Sequence, residues 1–238
     1  MISVCIPTYN GESFIEEQIK SVLIQLEESD EIIVSDDSST DRTIEIIKNI
    51  NDRRIRIVEG NTFHSPIYNL ENALKEAKGD YIFLCDQDDI WIEKKVKICL
   101  DYLGSYDCVV HDAIIIDSHK QIILDSFFKI GPSHEGIIHN LITNGYLGCC
   151  MAFRSSLLEY ILPFPDNIPM HDIWIGNIAA LFFRLCFIPE KLIYYRRHGN
   201  NASPTAEKSK AKLIEKIMNR YTIISNLIKR RKSIKSKG

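Results

Sequence analysis

No stretch of the 238-residue sequence stays apolar for the length of a membrane-crossing helix, so no transmembrane span is expected. The strand-like run Ile2-Ser3-Val4-Cys5-Ile6 begins at once, and no signal peptide is expected ahead of it. Cysteines number seven, an odd count, and none forms a C-x-x-C pair. Buried, reduced thiols in a cytosolic protein are the simplest account of them. No G-x-G-x-x-G follows the first strand, which argues against a dinucleotide oxidoreductase. The turn Pro7-Thr8-Tyr9-Asn10-Gly11 also lacks the Gly-rich, basic loop of enzymes that make sugar nucleotides. There is no internal repeat and no long low-complexity linker.

What is present is an alternation of strand and helix patterns. Strand-like runs at 2–6, 32–34, 55–58 and 80–85 are separated by helical spacings. Those helices carry Phe14, Ile15, Ile19, Val22, Leu23 and Leu26, then Ile44 to Ile50, then a segment opened by Ser65-Pro66 and running to Ala77. A further helix is expected from about Glu93 to Leu103. Such alternation predicts right-handed crossovers and a mostly parallel sheet flanked by helices. The second half is less regular: strands are expected at 107–117, 121–125, 149–153, 186–188 and 191–196, with helices at 135–143 and from His171 to Phe183. With 45% hydrophobic residues, the chain suffices for one large core. We read 1–205 as a catalytic unit, in halves 1–103 and 104–205, and 206–238 as an appended helical tail.

Asp86-Gln87-Asp88-Asp89 stands out, because three carboxylates emerge where the apolar run Tyr81–Cys85 ends. Like charges this close need a cation or polar partners, and carboxylate oxygens suit magnesium or manganese. Ligands in parallel sheets bind beyond the carboxyl ends of strands. The Pro7–Gly11 turn, the Asp36–Asp41 loop and the Asp86–Asp89 turn should therefore meet. Asp36 and Asp37 could otherwise simply cap the helix that follows.

Three segments in order carry a resemblance: Val4-Cys5-Ile6-Pro7-Thr8-Tyr9-Asn10-Gly11, Ile33-Val34-Ser35-Asp36-Asp37-Ser38-Ser39-Thr40-Asp41, and Gly79-Asp80-Tyr81 through Asp89-Ile90-Trp91. Together they resemble a bacterial family 2 glycosyltransferase, most strongly over residues 1 to 103. The resemblance implies a Rossmann-like α/β fold of the A-type glycosyltransferase kind and an inverting sugar transfer from a nucleotide sugar. It places Asp37 on the nucleotide base, with Pro7 and Tyr9 lining the base pocket. It puts Asp88 on a divalent metal, manganese or magnesium, and Asp86 near the ribose or the metal's water shell. Met170-His171-Asp172-Ile173-Trp174 matches the general-base segment, with Asp172 as the base; His171 stands where many relatives carry an acid. The competing view of Asp172 is a charge favoured at a helix start.

Tyr194-Tyr195-Arg196-Arg197-His198-Gly199-Asn200-Asn201 resembles a segment that folds over the diphosphate. His198 is then a metal ligand, or else structural, and Arg196 or Arg197 a phosphate contact. Gly148, in Asn144–Met151, would lie beside the donor sugar and acceptor, together with His171 and Trp174, or form a simple turn. The Asp-Gln-Asp-Asp and Arg-His-Gly-Asn segments look like those of rhamnosyl- and galactosyltransferases of surface polysaccharide synthesis. The donors implied are a UDP-hexose or dTDP-rhamnose. A haloacid-type phosphatase or a non-catalytic sugar-binding scaffold are the alternatives; neither needs all three motifs.

The net charge of −3 conceals an asymmetry: residues 207–238 hold 11 Lys+Arg and 2 Asp+Glu, a local +9, which leaves −12 on the rest. An acidic body argues against nucleic acid as a partner. Leu213, Ile217, Tyr221, Ile224 and Leu227 are expected on one face of a basic helix, which fits an anionic membrane surface. A lipid-linked saccharide acceptor would then be met peripherally, on the inner face of the cell membrane.

Overall fold

Short apolar runs rich in β-branched residues form strands buried on both faces. In the computed structural model, which describes residues 1–130, 136, 140–141, 144–199 and 213–236, these runs become β1 (Ile2–Thr8), β2 (Glu31–Asp36), β3 (Ile55–Val58) and β4 (Tyr81–Leu84). They lie side by side in the order β3-β2-β1-β4, all parallel. The intervening helices are α1 (Ile15–Leu23), α2 (Thr43–Ile50) and α3 (Pro66–Glu76), with α4 (Lys95–Leu103) after the acidic turn. Pro66 opens α3, where its missing N–H costs nothing.

The second half makes the sheet mixed where a mostly parallel one was expected. The strands β5 (Ile90–Trp91), β6 (Cys108–Asp117), β7 (Ile122–Leu124), β8 (Met151–Arg154) and β9 (Leu185–Arg197) complete the sheet. β8 runs antiparallel to β4 and β6, β9 runs parallel to β6, and β5 and β7 add antiparallel edges to β9 and β6. β5 is too short to leave a periodicity. β9 is one strand where two were expected: the pairing to β6 skips from Ile188 to Lys191, because Pro189 has no N–H to give the ladder.

After β8 come a single helical turn at Leu158–Ile161 and then α5 (His171–Phe182); the last helix is α6 (Leu213–Lys235). The helix expected over 135–143 lies largely outside the described residues; Asn140 and Leu141 within it are helical. One buried apolar cluster runs through both halves, from Val4 and Phe83 to Phe153, Ile178 and Leu227. All seven cysteines are buried free thiols.

α6 departs from expectation in one respect. Its apolar residues do not share one face. Ile223 and Leu227 are buried against the body, where Arg230 donates to the carbonyls of Tyr160, Leu162 and Pro163. Ile214, Ile217, Met218, Tyr221, Ile224 and Ile228 are exposed. At 100° per residue these six form a second stripe, opposite the first. Among the described residues, no helix is long and apolar enough to cross a membrane.

Candidate active site

The three loops after β1, β2 and β4 leave the same edge of the sheet, as parallel topology requires; β1 and β2 end together at Thr8 and Asp36, and β4 ends earlier, with Leu84 opposite Cys5. Side chains, not backbone alone, lock them together. Gln87 donates its amide to the Tyr9 carbonyl at 3.1 Å and accepts from the Tyr9 N–H at 2.9 Å. A methyl group on Gly11 would stand 2.5 Å from Gln87 Oε1, so the first loop needs glycine there. Gln87 is a residue that motif reading passed over; its setting among three acids was the available signal.

Asp36 and Asp37 do different work. Asp36 accepts from Ser39 N–H and from the Thr8 hydroxyl, and Asp41 accepts from Thr43 N–H, so these two acids cap the local loop. Asp37 instead accepts three backbone N–H groups, from Phe63, His64 and Ser65. A carboxylate offers about four acceptor positions. Asp37 therefore builds the wall ahead of α3 and keeps about one position for a ligand.

The result is a cavity of about 390 Å³. Pro7, Tyr9 and Asp37 from the first two loops, Asp86 and Asp88 from the acidic turn, and Met170 and His171 from the start of α5 all line it. His64, Ser65 and Asn69 also line it; their part could not be read locally, because a loop's direction is set by what it docks on.

The acidic turn is mostly buried. Burial, and then the charge of Asp88, push the Asp86 carboxyl up to about 7; Asp172 adds to this, which puts it within electrostatic range. Asp89 is raised as well, by burial first and then by Asp88 and Asp86. Its Oδ1 accepts the Arg196 N–H, and its Oδ2 has no partner among the described residues. Beneath the turn, Lys95 is fully buried, donates to the Cys149 carbonyl at 2.9 Å and stands 4.3 Å from the Trp91 ring centre. Its ammonium counts among the influences lowering Asp86.

Two ligand sets are conceivable here. Asp86, Asp89 and Cys149 bring ligand atoms within 4.8 Å of one another. Burial holds the Cys149 thiol well above its usual range, and Asp89 already serves Arg196, so this trio suits shared protons better than a hard cation. Asp88 and His198, by contrast, meet at 2.7 Å between Oδ2 and Nε2, and Asp88 lines the cavity. Asp88 and His198 form a carboxylate–imidazole pair of a kind that manganese can take, with Asp86 lining the same cavity. The raised Asp86 carboxyl marks a place where added positive charge is favourable.

The remaining candidates divide. Arg196 is buried under the turn: its Nε donates to the Asp88 carbonyl and its Nη2 to Glu17, with the guanidinium over the Phe14 ring. It supports the turn and is not placed in the cavity. Strand alternation gives Arg197 the face of Tyr195, which does line the cavity. Trp174 is a correction. It is wholly buried, donates Nε1 to the Ile161 carbonyl and packs beneath Arg230, because it lies on the core face of α5.

Asp172 opens α5, and burial pushes its carboxyl up to about 6. Burial also drives the neighbouring His171 down to about 4, so the imidazole is neutral at physiological pH. A carboxyl near 6 lies closer to neutral operating conditions than an imidazole near 4. Gly148 permits their approach: a methyl group there would lie 2.6 Å from His171 Nε2.

With this geometry in view, the comparisons with known proteins agree. The Glycosyl transferase family 2 profile matches residues 3–162, and the chain belongs to that family. The dTDP-rhamnosyl transferase RfbG of Shigella flexneri is 28% identical over 90% of this chain and 79% of its own length. The UDP-Glc:alpha-D-GlcNAc-diphosphoundecaprenol beta-1,3-glucosyltransferase WfaP of Escherichia coli is 40% identical over 40% of this chain and 38% of its own. The crystal structure of S. aureus TarS 1–349 in complex with UDP-GlcNAc superposes with a TM-score of 0.73 at 21% identity. It covers 94% of this chain, which spans 66% of that one, and it shows the A-type glycosyltransferase fold.

Lys95→Met tests the electrostatics beneath the turn. Removing the buried cation takes away a charge that offsets Asp86, and we expect a loss of about 3–5 kcal/mol in urea unfolding. An unchanged midpoint would mean that Lys95 does not offset them.

Proposed function

We propose that the chain is an inverting, metal-dependent hexosyltransferase. It moves a sugar from a UDP-hexose or dTDP-rhamnose to a lipid-linked saccharide acceptor, of the kind named for WfaP, in bacterial O-antigen or capsule synthesis. The carrying observation is that one cavity is lined by Pro7, Tyr9 and Asp37 together with Asp86, Asp88 and His171. A haloacid-type phosphatase has no use for the first set. Residues 1–205 form the catalytic unit in this reading, with 206–238 as its tail.

The chemistry follows from these positions. Asp37 and Tyr9 hold the nucleoside, and Asp86 lies toward its ribose. Asp88, with His198 and Asp86, would hold manganese or magnesium, and the cation supplies charge compensation for the departing diphosphate. Asp172 takes the proton of an acceptor hydroxyl. That oxygen bonds to the anomeric carbon from the side opposite the diphosphate. The bond from carbon to phosphate oxygen breaks, the nucleoside diphosphate leaves, and the configuration inverts.

Calorimetric titration of UDP-sugars and dTDP-rhamnose, with and without manganese, tests the donor site. We expect one nucleotide to bind in a metal-dependent way and binding to be lost in Asp88→Ala. Failure of every nucleotide to bind a folded sample would overturn the base-pocket assignment.

The base assignment has a pH signature. Asp172 acts only when deprotonated, so at saturating metal kcat/KM should fall about tenfold per pH unit below about 6 and level off above it. Asp172→Asn should lose about 100-fold or more of kcat at every pH. A profile flat to pH 5 would exclude Asp172.

We further infer that α6 lies on the inner face of the cell membrane. Its exposed stripe from Ile214 to Ile228 continues into Lys229, Lys232 and Lys235, a combination that suits anionic lipid. Wild type should sediment with phosphatidylglycerol vesicles but not with phosphatidylcholine vesicles, and Tyr221→Glu with Ile224→Glu should stay in the supernatant. Equal sedimentation of the variant would dismiss the stripe.

A further inference from the structure

Lys95 is a wholly buried cation that forms no ion pair with any described residue. Its ammonium has one hydrogen-bond acceptor among them, the Cys149 carbonyl at 2.9 Å, and otherwise meets the Trp91 ring. Burying a charge in this way is costly unless opposite charge lies near. His111 does not supply it: burial first, and then Lys95 itself, keep that imidazole neutral. The acidic turn does, and Cys149 is the link. The Cys149 carbonyl takes the ammonium, while its thiol lies within 4.8 Å of carboxylate oxygens of Asp86 and Asp89.

Direct contacts bring the turn less positive charge than its three acids call for. Arg196 gives Asp89 Oδ1 a backbone N–H, and its guanidinium serves the Asp88 carbonyl and Glu17. Asp89 Oδ2 has no partner among the described residues. Lys95 therefore acts as a counter-charge from inside the fold, while Asp86 and Asp88 open on the cavity. A divalent cation at Asp88 and His198 would draw on the same negative charge. Two cations facing one set of carboxylates weaken each other's hold. A diphosphate brings negative charge of its own and relieves that competition.

We propose that Lys95 is a positioning residue that keeps the metal site weak until a nucleoside diphosphate arrives. At rest the ammonium offsets the turn through Asp86 and Cys149. With the diphosphate in place, phosphates and carboxylates together hold enough negative charge for both cations. The proposal rests on the transferase reading and adds to it what controls the filling of the metal site.

Manganese titration of the full chain, followed by the electron spin resonance of the free ion with and without UDP, tests this. Wild type is compared with Lys95→Gln, which keeps a donor for the Cys149 carbonyl, and with Lys95→Met, which does not. Without UDP we expect both variants to bind manganese about tenfold or more tighter than wild type, because a positive charge has gone. With UDP that difference should shrink. Saturating manganese should also raise the urea midpoint of either variant more than that of wild type. A purely structural lysine predicts the reverse, so a folded variant that binds manganese no tighter than wild type would overturn the proposal. A variant that folds only with manganese would support it. If neither variant folds even then, wild type decides: manganese bound about tenfold or more weakly without UDP than with it upholds the proposal, and equal affinity overturns it. Failure of UDP to bind wild type at any manganese concentration would instead remove the transferase reading on which the proposal rests.

Discussion

Burying three carboxylates at the end of one strand is the constraint around which this molecule is arranged. Asp86, Asp88 and Asp89 repel one another and lose solvent together, which is why Asp86 and Asp89 hold their protons so far above the usual range. A turn of this kind survives only if other elements bring compensation to it. Lys95 comes from α4 beneath, Arg196 and its N–H from β9, and His198 from just beyond β9. The short pairing of β5 with β9 brings the last two to the turn. Much of the mixed half of the sheet is thus explained by what the parallel half ends in.

The same burial that makes the turn costly makes it useful. A site that strains to hold negative charge favours a cation, and a cation favours a diphosphate. Opposite the turn, burial acts on two neighbours in opposite senses: it raises the Asp172 carboxyl and lowers the His171 imidazole. One physical cause therefore leaves a weakly acidic carboxyl and an uncharged ring side by side. Gly148 is the packing condition for this arrangement, since any side chain there would displace His171.

α6 joins the catalytic body to its surroundings through two opposite faces. Ile223, Leu227 and Arg230 fasten it to α5 and the segment before it, while the stripe containing Tyr221 and Ile224 is left exposed. A helix that spends few apolar residues on its own fold and exposes more has a second surface to satisfy. Lys216 and Arg220, on the docked side with Ile223, line a cavity beside the start of α5.

The sequence by itself determined the parallel half of the sheet, the three loops that end its strands, and the acids at their tips. Those features are local: strand length, β-branched content and turn residues declare themselves within a few positions. Asp37, Asp86 and Asp88 were legible for the same reason. Only the tertiary structure decided what each side chain faces. Arg196 and Arg197 are equivalent as letters, yet strand alternation puts one under the turn and the other toward the cavity. Trp174, adjacent to the base segment, belongs to the core because of the helix face it occupies. The apolar stripe of α6 was visible as periodicity, but its division into a docked side and an exposed side depended on where α5 and the 160–163 segment lie. Gln87, His64 and Asn69 acquire their positions only when loops distant in sequence dock on one another. Period and charge are properties of neighbours along the chain, whereas contact and burial are properties of neighbours in space.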